Sequence, residues 1–163
     1  MATEEFHVRD DWQPLLERAG LASLEALLGF EAGRVVGWHK RSQTYRLELE
    51  GRVVFLKRDT LTLRKQLLLD LLLLRPTLPM TYKERQAMER AAGAGVRTAE
   101  ILAWGQVRRR GLAHRGVLVT AALEGRPLDA LLKSAGPDQR REAMAAAGRT
   151  AAKLYAAGLS WPD

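Results

Sequence analysis

The chain has 163 residues, a formal net charge of +7 and a pI near 10.2. Without cysteine it can build neither a disulfide framework nor a thiolate metal site, and His7, His39 and His114 stand too far apart in sequence to show metal-ligand spacing. The basic balance favours an anionic partner: nucleotide, nucleic acid or acidic lipid.

The N-terminal "MATEEFHVRDDWQP" sets acids ahead of any apolar run, unlike a signal peptide. The longest apolar run, 67–74, contains Asp70 and falls far short of the roughly 20 residues that span a bilayer. A soluble or peripherally bound protein is expected, with one compact domain or two small lobes, and the absence of cysteine fits a reducing cytoplasm. Residues 1–30 predict a helical N-terminal extension, with two short helices over 12–29 broken at Gly20 and Ser23 capping "LEALLG". From Arg34 the period changes to that of strands. "RVVGW" (34–38) is one strand and "HKRS" (39–42) a polar turn. "QTYRLELE" (43–50) alternates, with Tyr45, Leu47 and Leu49 on one face. Glu50-Gly51 turns the chain into "RVVFLK", a strand that reads as buried on both faces.

Residues 60–75 predict a leucine-rich helix closed by Pro76 and Pro79; core packing against the sheet and an interfacial membrane contact are both open for it. A helix over 81–92 follows, then strands at 99–106 and 115–123. Between them lies the basic turn "VRRRGLAHR" (107–115), either a solvated charge run or a phosphate- or lipid-facing patch. Gly125 and Pro127 mark a linker into helices near 128–134 and 138–157. Five strands with one inserted helix, then helices alone, predict an α+β lobe followed by a helical part.

Two residues break the pattern. Lys57 ends the apolar strand, and lysine is rarely buried without a partner. On the 81–92 helix, at about 100° per residue, Ala87, Met88, Ala91 and Ala92 all fall within about 80° of Glu84, while Glu89 lies about 140° away. Glu84 is thus centred on the apolar stripe, where a carboxylate is costly unless paired. A Lys57–Glu84 pair would resolve both anomalies. The competing readings are a Thr81-x-x-Glu84 capping box and a lysine that snorkels to solvent.

A lysine on the third strand, a glutamate on the next helix, two more strands, a linker and helices resemble the first half of a protein kinase-like fold. More closely, "GRVVFLKRD", "YKERQAMERAAGAGVRTAEILAWG", "LVTAALEG" and "AAKLYAAGLSWPD" resemble the bacterial lipopolysaccharide kinases, which phosphorylate heptose or Kdo in the lipopolysaccharide inner core. The resemblance covers most of 33–163. It implies a nucleotide-binding lobe over 31–123 and, over 124–163, the start of a helical catalytic lobe truncated at its catalytic loop. It further implies that Lys57 contacts ATP phosphates, that Glu84 orients it, and that Ala121, Ala122 and Leu123 form the hinge that reads adenine. Gly37 is the one glycine of the phosphate loop, helped by Lys40 and Arg41, and Asp163 is the catalytic base. Mg²⁺ would be a cofactor whose ligands lie past Asp163, so the 163-residue chain by itself is expected to be an inactive part of a sugar kinase. Two rivals stand beside this: another small-molecule phosphotransferase of the same fold, and a non-catalytic pseudokinase-like or basic anion-binding module. Few aromatics and no recognition-helix or stacking-strand motif count against nucleic acid.

Overall fold

The computed structural model describes residues 2–39, 41–59, 68, 72–73, 77–110 and 112–159. In chain order these form β1 (Ala2–Val8), α1 (Gln13–Arg18), α2 (Leu24–Gly29), β2 (Arg34–His39), β3 (Ser42–Leu49), β4 (Arg52–Asp59), α3 (Met80–Gly93), β5 (Ile101–Arg109), β6 (Leu112–Ala121), α4 (Leu128–Ser134) and α5 (Pro137–Ala156). The leucine-rich helix expected over 60–75 lies outside the described residues, save for exposed Leu68, Leu72 and Leu73.

The strands make one antiparallel sheet in the order β1-β5-β6-β4-β3-β2. The class is α+β with a kinase-like sheet, but it has six strands where five were expected. The sixth is β1, within the segment predicted to be helical. It pairs with β5 along its whole length. Its side chains are mostly exposed and show no alternation, so backbone pairing with a distant partner is what makes it a strand.

One sheet face forms the core. Leu15, Leu16, Leu24 and Leu27 from α1 and α2 pack on Tyr45, Leu47, Val54, Leu56, Leu102, Val117 and Val119. Each fully buried leucine there contributes about 1.5–3 kcal/mol of transfer free energy. Ser23 caps α2, its Oγ accepting from the Ala26 N–H at 3.1 Å. α1 and α2 cover this face, and β4 alternates. Val54 and Leu56 are fully buried while Val53 and Phe55 are half-buried, which corrects the expectation of a strand buried on both sides.

The basic stretch 107–115 is also not a long turn. Val107 pairs with Arg115 and Arg109 with Leu112, so the arginines ride on the paired ends of β5 and β6. Buried Val107 keeps the ladder running, and Arg110 turns with φ +52.

The chain divides into two compact units: Met1–Gln86 with Ala99–Ala122, and Ala87–Thr98 with Leu123–Asp163. In the second, α4 and α5 bury no side chain of their own, and Lys153 Nζ donates to the Gly95 carbonyl at 3.3 Å. Among the described residues no helix is long and apolar enough to cross a membrane.

Candidate active site

Directly opposed residues of antiparallel strands share a face, and the register sets one row across the sheet. His7, Trp104, Leu118, Lys57, Thr44 and Gly37 follow one another in it, one from each strand. The row lies on the face opposite Val54 and Leu56, away from α1 and α2. The first turns of α3 sit over part of it. Arg85 lies 3.8 Å from the centre of the Trp104 ring and 4.6 Å from that of Tyr82. Tyr82 meets Trp104 edge-on at 5.6 Å, and His7 stacks on the same indole at 4.4 Å.

Further along the row, Lys57 Nζ donates to Glu84 Oε2 at 2.5 Å. Their side chains are 28% and 40% exposed, so the pair is half open to solvent and not buried. Glu84 does not close a capping box. The Thr81 N–H donates instead to Asp59 Oδ2 at 3.3 Å, and the Thr81 hydroxyl donates to the same oxygen at 3.1 Å. Asp59, at the end of β4, takes the place that Glu84 would have filled, which leaves Glu84 to Lys57.

Next to Lys57 the row narrows to Thr44 and then to Gly37. A Cβ at Gly37 would stand 3.4 Å from both Thr44 Cβ and Oγ1, so the glycine keeps this end of the face low. Gly37 sits at a register shift in β2, the bulge that lets the strand bend. The structure thus brings Lys57, Glu84 and Gly37 to one face of the sheet. Lys40 and Asp163 lie outside the described residues.

Of the three expected hinge residues, two use their N–H groups within the sheet. Ala121 donates to the Glu100 carbonyl at 2.9 Å and Ala122 to the Val53 carbonyl at 3.1 Å.

Comparison with known proteins matches residues 22–163 to the model of the lipopolysaccharide kinase (Kdo/WaaP) family. The chain belongs to this family. No curated protein matches. A solved structure described as WaaP in complex with acyl carrier protein is similar in fold, with a TM-score of 0.66 and 21% sequence identity over 92% of this chain. The chain spans 56% of that neighbour's length.

For a member of the lipopolysaccharide kinase family, two residues near Lys57 escaped the sequence. Asp59 closes β4 and is buried at 6% exposure. Burial pushes its carboxyl up to about 6 against the opposing pull of the Thr81 hydrogen bonds and the Lys57 charge. Trp104 lies under Arg85, a placement set by the pairing of β5 with β6. The one available signal was the "KRD" run, which alternates charges across both faces at the end of a buried strand.

Proposed function

We propose that this chain carries the ATP-binding part of a kinase that phosphorylates a heptose or Kdo sugar of the lipopolysaccharide inner core. The observation that supports it most is the half-exposed Lys57–Glu84 contact on the sheet face opposite α1 and α2, in one row with Thr44 and Gly37. A lysine held at its Nζ by a single carboxylate oxygen, and still 28% exposed, keeps donors for an incoming anion. The low floor at Gly37 is where this reading places the phosphates.

In this proposal Lys57 binds the α- and β-phosphates, and Glu84 fixes the lysine's direction, so that charge meets charge without reorganisation. Asp163 accepts the proton of the attacking sugar hydroxyl. Bound Mg²⁺ would neutralise charge developing on the transferred phosphoryl group. Among the described residues no group of three or more acidic or histidine side chains is arranged to hold a metal ion. Exposed arginines on the β5–β6 hairpin are the feature that favours peripheral contact with an anionic membrane at the cytoplasmic face.

The test is phosphate transfer from labelled ATP to lipopolysaccharide core acceptor lacking inner-core phosphate, with the full-length protein. Lys57→Ala should lower kcat/KM by about a hundredfold or more and leave the fold intact. Wild-type turnover by that variant would overturn the assignment. ATP binding insensitive to Glu84→Gln, together with nucleic-acid binding that falls steeply with salt, would favour the non-catalytic module instead.

A further inference from the structure

Resting on the kinase reading above, we infer that Asp59 is a positioning residue: through Thr81 it holds the first turn of α3 against β4 and so keeps Glu84 on Lys57. The geometry is a two-point clamp. Lys57 and Asp59 are two residues apart on β4, so they share a sheet face about 6.6 Å apart along the strand. Thr81 and Glu84 are three apart on α3, neighbours on one helix face about 4.5 Å apart along the axis. Lys57 takes Glu84 and Asp59 takes Thr81, so the two links join strand and helix in reverse order. One link lets a helix pivot about it. Two links fix both its rotation and its slide.

The links differ in strength. The Lys57–Glu84 pair is half exposed, and such a pair contributes little to holding a helix in place. Asp59 and Thr81 are buried at 6% and 0% exposure. There a carboxylate oxygen accepts two hydrogen bonds at a helix start, where N–H groups have no partner within the helix. The buried link therefore holds the helix, and the open one is left for chemistry. Strand β6 makes room for this arrangement at Gly116. A Cβ there would run into Thr81 Oγ1, and would lie 2.7 Å from Pro79 Cβ and 3.2 Å from Asp59 Oδ2.

The experiment compares Thr81→Val, Asp59→Ala and Glu84→Gln, singly and with Glu84→Gln added to each of the others, in the full-length protein. ATP binding, kcat, KM and thermal unfolding are measured for each. Thr81→Val and Asp59→Ala should each lower kcat/KM about tenfold in the folded protein, and Glu84→Gln should make either of them redundant. A merely structural role would lower the folded fraction and multiply with Glu84→Gln, so an additive double variant overturns the inference. Wild-type kinetics in Thr81→Val overturns it too. If Asp59→Ala does not fold, Thr81→Val decides by the same criteria, since it removes one hydroxyl at constant shape. A wild-type protein that neither binds ATP nor transfers phosphate identifies failure of the kinase reading itself, and the inference falls with it.

Discussion

Thr44 of β3 is the direct cross-strand partner of Lys57 of β4. Gly37 is the next residue in that row, two strand spacings or about 10 Å from the lysine. The register thus sets that glycine on the same face as the lysine.

Gly37→Val follows from this relationship. Valine suits a strand, and its methyl groups would rise from the face beside Thr44. The KM for ATP should increase about tenfold or more, with the unfolding midpoint close to wild type. An unchanged KM would mean that nucleotide does not lie over this row.

Arg58 points to the opposite face and should matter for stability instead of turnover. Its Nη1 donates to the Leu28 carbonyl at 2.9 Å, and its Nη2 donates to Tyr45 Oη at 2.8 Å and Gln43 Oε1 at 3.1 Å. The guanidinium also lies 5.1 Å from the centre of the Tyr45 ring. Arg58→Met strands these acceptors and should cost about 2–4 kcal/mol in urea unfolding. Arg58→Lys should recover little, because a point charge cannot reproduce the fork. Full stability in the lysine variant would contradict the assignment.

Asp59 gives the protein a pH-dependent term. Its carboxyl is raised from 3.8 to about 6, chiefly by burial, against the Thr81 hydrogen bonds and the charge of Lys57; Arg58, Arg115 and Glu31 line the cleft beside it. Between about pH 4 and 6 the folded state holds this proton and the unfolded state does not, so stability falls as pH rises through that window. At about 1.4 kcal/mol per unit, the loss is at most about 3 kcal/mol. Asp11 and Glu50, held below the ordinary carboxylate range by hydrogen bonds from Arg9 and Arg18, give the opposite slope. The difference between wild type and Asp59→Asn isolates the term. The asparagine variant should gain on wild type from pH 4 to 6 and hold that gain above it. Parallel stability curves would show that Asp59 ionises normally.

The β5–β6 hairpin carries the membrane test. Arg109, Arg110 and Arg115 are exposed and Leu112 is partly so, while burial and the charges of Arg109 and Arg115 lower the pKa of His114. Arg109→Glu with Arg110→Glu should weaken binding to vesicles containing a quarter phosphatidylglycerol more than tenfold, at about 1 kcal/mol per charge near the surface. Wild-type binding should weaken as salt shortens the Debye length. Equal binding by both proteins, or binding indifferent to salt, would leave the hairpin without this role.

Local periodicity was enough for much of this protein. The alternation of Tyr45, Leu47 and Leu49 marked β3, Ser23 marked the start of α2, and Lys57 and Glu84 stood out because each broke an apolar pattern. These signals need no information beyond a few neighbouring residues. The tertiary structure decided the rest. β1 is a strand because β5 offers it a backbone edge about a hundred residues away in sequence. Thr81-x-x-Glu84 fits a capping box equally well on paper, and what directs Glu84 to Lys57 is that Asp59, 22 residues before Thr81, reaches the helix start first. A hydrogen-bond donor takes the acceptor that folding brings to it, and which acceptor arrives depends on strand register and helix placement, not on spacing along the chain.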